Sequence, residues 1–338
     1  MSAVPMSMPG RPSPPPLGIY VHFPWCVRRC PYCDFNAHQL TGQLPEADYA
    51  QALRADLEAS AARVWERSVA SVYLGGGTPS LFSPQSVERL LSDIRMLCSL
   101  QPDAEITMEV NPGTESGARL DDYVKAGVNR FSIGVQSLSD QHLRLLGRIH
   151  DAAAATTTVT AACATGARVN CDLMVALPGQ SPVAAADQVA ELAEFGCEHL
   201  SIYRLTLEPG TPFYRNPPAG MPDEDSAADI LDCAAAAAAA AGYQRYEVSA
   251  YAAGSSARSR HNLNYWLFGD YLGIGAGAHS KLTDGRGVLR SMRHKSPRRY
   301  LAAAPSGEFV ASSQRINCAQ LAFEFMFNAL RLKEGFAV

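Results

Sequence analysis

The sequence predicts an α/β fold built on parallel strands, and three observations carry the prediction. Short apolar runs alternate with helix-like stretches six times between residues 18 and 205, a rhythm that requires helical crossovers between parallel strands. Hydrophobic residues make up 47% of the 338 residues and charged residues 18%, enough for the core of one large domain with a smaller unit at its end. No apolar run approaches the roughly 20 residues that a membrane-spanning helix requires. Repeats of this kind either close into a barrel or stay open as a doubly wound sheet, and periodicity alone does not choose between the two.

The elements follow in order. The first 17 residues hold six prolines with Ser, Gly and Met, which cannot form a packed element and are expected to be a mobile, disordered tail. Strands are expected at 18–23, 71–74, 105–110, 129–135, 168–175 and 199–205, each a short apolar run. Helices are expected at 47–64, 84–98, 117–125, 152–165 and 182–195. The alanine octet 234–241 is strongly helix-favouring and Gly242 ends it as a cap. Residues 320–332 again show helical apolar spacing.

Directly after the first strand stand Cys26, Cys30 and Cys33, spaced C-x-x-x-C-x-x-C. Each iron of a cubane 4Fe-4S cluster takes one protein sulfur, so three thiolates leave the fourth iron open to another ligand. A structural zinc site normally takes four ligands; His22 and His38 flank the run, but no second Cys or His pair at ligand spacing lies nearby. Nine cysteines, six of them scattered singly, do not read as a disulfide scaffold. The chain also lacks the charged start, apolar run and small-residue cleavage site of a secretory signal, so a reducing cytoplasm is expected. The formal net charge of -4 shows none of the basic excess that marks a nucleic-acid-binding surface.

After the second strand comes Gly75-Gly76-Gly77-Thr78-Pro79. Three glycines remove every β-carbon from a strand-to-helix turn, so the backbone can approach a ligand and adopt positive φ, and Pro79 fixes the exit. A tight turn alone would use the same residues. The cysteine loop and the glycine loop both fall beyond the carboxyl ends of adjacent strands, where ligands bind in barrels and in open sheets.

These motifs resemble the radical S-adenosylmethionine superfamily, in the branch of anaerobic coproporphyrinogen III oxidase and the HemW haem chaperones. The resemblance runs from about Tyr20 to the C-terminus, in the same order. It implies a partial (β/α)6 barrel over residues 18–250 and a C-terminal HemN/HemW-like region over 251–338. It also implies a 4Fe-4S cluster on Cys26, Cys30 and Cys33, and S-adenosyl-L-methionine as cofactor, with Gly76, Gly77 and Thr78 beside its amino group. Tyr20 matches the family's aromatic contact to the cofactor.

What S-adenosylmethionine presents suggests the remaining contacts. Glu109, ending the third strand in Met108-Glu109-Val110-Asn111-Pro112, suits the ammonium, and Arg148, in Gly147-Arg148-Ile149-His150, offers a planar fork to the carboxylate. Gln136 and Asp172 end or interrupt apolar strands and suit the ribose hydroxyls. Taken singly, an acid at a strand end also caps helices, an arginine also makes surface ion pairs, and a tyrosine in a strand is commonly core. The chemistry implied is reductive carbon-sulfur cleavage giving a 5′-deoxyadenosyl radical, with the protein orienting the cofactors and excluding water. No catalytic residue is assigned.

Two features separate the branch. The oxidase continues its motif with a fourth cysteine where this chain has Phe35, and His261-Asn262-Leu263-Asn264-Tyr265-Trp266 resembles the HNxxYW signature of the haem chaperones. The resemblance therefore implies haem as cargo, haem-acceptor proteins such as respiratory enzymes as partners, and an electron donor; the alternative is oxygen-independent coproporphyrinogen III oxidase. His261 is a possible haem contact, although a His-Asn-aromatic cluster is also a common packing unit. Cys163, Cys171, Cys197, Cys233 and Cys318 are expected as core thiols. Residues 273–279 superficially match a dinucleotide fingerprint but lack a following helix and a downstream acid, so that role is rejected and a place over the barrel mouth is expected. The chain stops at Val338, before the family's small helical C-terminal domain would be complete.

Overall fold

The computed structural model describes residues 14–114 and 117–336. The expected tail lies outside the described residues up to residue 13, and Leu17 already opens the first strand. Six strands, β1 (Leu17–Phe23), β2 (Ser68–Gly76), β3 (Ser99–Val110), β4 (Arg130–Gln136), β5 (Arg168–Val175) and β6 (His199–Arg204), stand side by side in chain order, all parallel. This is the expected α/β fold.

The sheet has 12 strands in all, and it continues past residue 250. Asp270–Ile274 runs parallel to β1, and His279–Asp284, Gly287–Arg293 and Val310–Arg315 extend that edge antiparallel. At the other edge Ala250–Ala252 and Gln244–Arg245 follow β6, also antiparallel. The two edges do not pair with each other among the described residues, so the barrel is partial. Sequence periodicity missed the Asp270–Ile274 strand because Gly273 and the glycines just after it resemble a loop; what makes it a strand is the ladder to β1, reinforced by Asp270, which binds Arg67 at 2.7 Å and Lys281 at 2.9 Å. The helix Arg260–Trp266, carrying the His-Asn-aromatic motif, packs against β1 and β2.

Alternation along the strands decides what faces where. Ile106, Met108 and Val110 of β3, Phe131, Ile133 and Val135 of β4, and Val169, Cys171 and Leu173 of β5 point outward into one continuous core beneath the helices. The intervening positions point into the barrel and are polar: Glu105, Thr107 and Glu109, then Arg130, Ser132 and Gln136, then Asn170 and Asp172. Most barrel interiors are filled by branched apolar side chains. A polar lining keeps this one available for a ligand.

The outer helices begin where a short polar side chain can take a free backbone N–H. Ser83, Asp151, Ser181 and Asp223 each cap the helix that follows. The alanine-rich helix spans Glu224–Ala240 and ends before Gly242 at φ +90°. Cys171 and Cys197 are buried, whereas Cys233 and Cys318 are exposed and are not core thiols. Cys233 lies on the outer side of the alanine-rich helix and Cys318 opens the last helix, Cys318–Ala329. No helix among the described residues is long and apolar enough to cross a membrane.

Candidate functional site

The carboxyl ends of the strands enclose a cavity of about 450 Å³ that reaches from the cysteine loop down into the barrel. Cys26, Cys30 and Cys33 lie along it, with Gly76, Gly77, Glu109, Gln136, Arg148 and Asp172. Residues far apart in the chain thus converge at one place, as their positions at strand ends require.

The cysteine loop is built on backbone pairing. Trp25–Cys26 forms a short parallel pair with His38–Gln39, which returns the chain after the loop. Burial pushes the Cys26 thiol up to about 11 and raises that of Cys33, so neither ionises without a compensating positive centre. Among the described residues no three His, Cys, Asp or Glu side chains converge tightly enough for a single metal ion. Tetrahedral zinc would bring its sulfurs within roughly 4 Å of one another. A cubane, which gives each thiolate its own iron, suits cysteines spread along a cavity wall.

The glycine loop supports the cysteine loop from below. Gly77 N–H donates to the Phe23 carbonyl at 2.6 Å and Thr78 N–H to that of Trp25 at 2.8 Å. A β-carbon at Gly77 would strike the Trp25 carbonyl, and one at Gly76, where φ is +116°, would strike the His22 ring. The glycines serve close packing as well as ligand approach. Thr78 is buried outside the main cavity, its hydroxyl accepting from Asn111 at 2.8 Å.

Glu109 sits opposite Gly76. One carboxylate oxygen accepts from the Tyr73 hydroxyl and the other from Gly76 N–H, both at 2.9 Å. Burial raises its pKa to about 7, and the nearby Asp172 charge adds to the rise. No cation pairs with it among the described residues, so the cavity contains an acid suited to a positively charged ligand group. Asp172, also raised by burial, accepts from Asn170 at 2.8 Å and Ser132 at 3.2 Å.

Gln136 ends β4 with φ +65°, a left-handed conformation that a residue with a side chain rarely holds without reason. The strain turns its side chain toward Tyr203, whose hydroxyl donates to Oε1 at 2.7 Å. Arg148 donates to Asn111 Oδ1 at 2.6 Å and to the Gly134 carbonyl at 2.9 Å, while its other terminal nitrogen lies 3.8 Å from Cys30 Sγ. A fixed guanidinium therefore stands beside one of the cysteines, with its Nε buried and unpartnered.

Two expected site residues lie behind this wall. Tyr20 does not line the cavity; its ring stacks on Tyr73, 6.1 Å between centroids, and its hydroxyl bonds His22 Nδ1 at 3.0 Å. His261 is 2% exposed, bonded through Nδ1 to Ser71 at 3.0 Å and enclosed by Tyr73 and Tyr265. Burial lowers its pKa to about 4, and its Nε2 is buried without a partner. Sequence reasoning missed Asn111, Tyr203 and Arg130. Asn111 stood in the same motif as Glu109, whereas the other two show only as inward positions once the strand register is known. The 273–279 segment meets the cysteine loop through Asn36, which donates to the Ala276 carbonyl at 3.0 Å.

Comparison with known proteins agrees with this geometry. The Radical SAM superfamily profile matches residues 20–195. The chain is 46% identical to the heme chaperone HemW of Escherichia coli (strain K12), over 95% of this chain and 84% of that protein. It is 36% identical to the heme chaperone HemW of Mycobacterium tuberculosis (strain CDC 1551 / Oshkosh), over 98% of this chain and 86% of that protein. Among solved structures, coproporphyrinogen III oxidase (HemN) from Escherichia coli, a radical SAM enzyme, superposes with a TM-score of 0.81 over 94% of this chain and 76% of that one, at 24% identity. That last likeness speaks to fold alone. With three cysteines and a glycine turn at adjacent strand ends of a partial barrel, a matching superfamily profile and HemW relatives similar over nearly the whole of it, the chain belongs to the radical SAM superfamily, in the branch close to HemW.

Proposed function

We propose that this protein is a haem chaperone that binds a 4Fe-4S cluster, S-adenosylmethionine and haem, and delivers haem to acceptor proteins such as haem-requiring respiratory enzymes in the cytoplasm. The observation that carries the reading is the 46% identity to a heme chaperone across 95% of the chain. Phe35 supports it: 60% exposed at the cavity rim, it puts an aromatic surface where the oxidase has its fourth cysteine.

When bound, the cluster and S-adenosylmethionine supply one-electron reductive chemistry, fed by an external electron donor. The chain's own residues hold and shield them. Cys26, Cys30 and Cys33 supply the thiolates, and Arg148 stands beside Cys30 as a fixed positive charge at one end of the cluster site. Glu109 takes the ammonium of S-adenosylmethionine, Arg148 is within the same cavity for its carboxylate, and Gln136 and Asp172 offer acceptors to the ribose hydroxyls. Gly76, Gly77 and Thr78 shape the turn against which the amino group lies, and Tyr20 braces Tyr73 from behind. His261 joins haem only if the Arg260–Trp266 helix opens, because its ring is enclosed as it stands.

The test sets delivery against turnover. Anaerobically reconstituted protein given S-adenosylmethionine and a low-potential reductant is expected to leave coproporphyrinogen III unconverted, while the haem-loaded protein passes haem to an apo-acceptor. Protoporphyrinogen IX among the products would replace the chaperone reading with the oxidase.

A further inference from the structure

Below the ring of expected cofactor residues, the cavity continues to a floor that none of them occupies. Arg130 opens β4 with its side chain inside the barrel, 2% exposed and lining the cavity. Among the described residues it makes no hydrogen bond and no ion pair. Its neighbours explain why. Glu105, on the neighbouring strand β3, is saturated: it accepts from Arg168 at 3.0 Å, from the backbone N–H of Arg260 and His261 at 3.1 and 3.0 Å, and from Ser259 at 3.4 Å. Asp172 accepts from Asn170 and Ser132 and makes no ion pair with the guanidinium. Arg130 feels both charges across a gap and bonds to neither.

None of its nitrogens is among the buried atoms left without a partner, so the guanidinium opens onto the cavity: a fixed charge held by the barrel and offered to whatever enters. A fixed cation whose donors are free toward the cavity calls for an acceptor-only group, and a carboxylate matches the planar fork.

We propose that Arg130 anchors a carboxylate-binding subsite at the floor of the barrel, distinct from the S-adenosylmethionine contacts above it. The carboxylate is a propionate arm of haem or that of a small free acid; the haem source rests on the function proposed above, and the free-acid source does not.

The experiment uses the full chain with its cluster reconstituted, and titrates haem, haem dimethyl ester, sodium propionate and S-adenosylmethionine. If haem supplies the carboxylate, the wild-type protein prefers haem over its ester by roughly 10- to 150-fold, the value of one charge-assisted pair, and Arg130→Gln erases that preference. If a free acid supplies it, haem and ester bind alike, while propionate raises the melting temperature of the wild-type protein and not of Arg130→Gln. S-adenosylmethionine affinity stays unchanged in either case. Arg130→Lys keeps the charge and loses the fork, so it retains the fold and part of the effect should the glutamine variant fail to fold. Wild-type protein indifferent both to esterification and to propionate would overturn the proposal, as would Arg130→Gln protein that keeps either response. A wild-type protein that binds no haem but responds to propionate would sink the chaperone reading and leave the subsite standing.

Discussion

Replacing Cys26, Cys30 or Cys33 with alanine should remove the cluster altogether, the largest single-residue effect expected in this protein. Wild-type chain reconstituted anaerobically should carry about four irons and four sulfides. A cubane already missing one protein ligand has no reserve when a second is lost, so the loss should be complete and not graded. The surroundings sharpen the expectation. Burial holds the Cys26 thiol at about 11, which makes the thiolate dependent on the metal that binds it. The exposed Cys233 is a matched control: Cys233→Ala should keep full iron, sulfide and visible absorbance. Stoichiometric zinc with no iron uptake in the wild-type protein would contradict the assignment.

The second large effect belongs to Glu109. Its carboxyl lies inside the barrel with a pKa raised to about 7, chiefly by burial, and only Tyr73 and Gly76 offset that cost. A ligand ammonium beside it favours the ionised form. Binding S-adenosylmethionine should therefore release a proton below about pH 7, and affinity should fall by up to about tenfold per pH unit as pH drops below that value, levelling off above it. The sign for stability runs the other way: a raised carboxyl pKa stabilises the ligand-free fold at low pH, and that contribution fades as pH rises through about 7. Glu109→Gln should flatten the pH dependence of binding and weaken it by roughly 10- to 150-fold at pH 8. Calorimetric titrations at pH 6 and pH 8 on both proteins decide it; a pH dependence that survives in Glu109→Gln would move the ammonium elsewhere.

Much of this candidate site is legible in the sequence because its chemistry is local. The cysteines and glycines are contiguous motifs, Glu109 and Gln136 mark strand ends where an apolar run gives way to a polar residue, and Asp172 interrupts an apolar run within its strand. What could not be read is what depends on register and depth. Tyr20 and Thr78 belong to the right motifs but do not reach the cavity, because Tyr20, on the inward face of its strand, is held against Tyr73 and His22, and Thr78 is tied to Asn111. His261 sits in a helix whose burial against β1 and β2 no single-segment pattern reveals. Arg130 looked like an ordinary residue at a strand start until the pairing with Thr107 and Arg168 placed it inside the barrel. The sheet extension from Asp270 onward was hidden for a related reason, since its glycines read locally as a loop and only the ladder to β1 makes it a strand.

The central claim is that cysteine loop and cavity form one site, with S-adenosylmethionine meeting the open iron of the cluster. Electron paramagnetic resonance of the reduced cluster tests it directly, because a new ligand on one iron alters the electronic structure of the whole cubane. Adding S-adenosylmethionine to reduced wild-type protein should shift the signal in a saturable way, and the same titration on Glu109→Gln should reach that shift only at higher concentration. A cluster signal that stays unchanged while the wild-type protein demonstrably binds S-adenosylmethionine would contradict the account, for it would put the ligand away from the open iron.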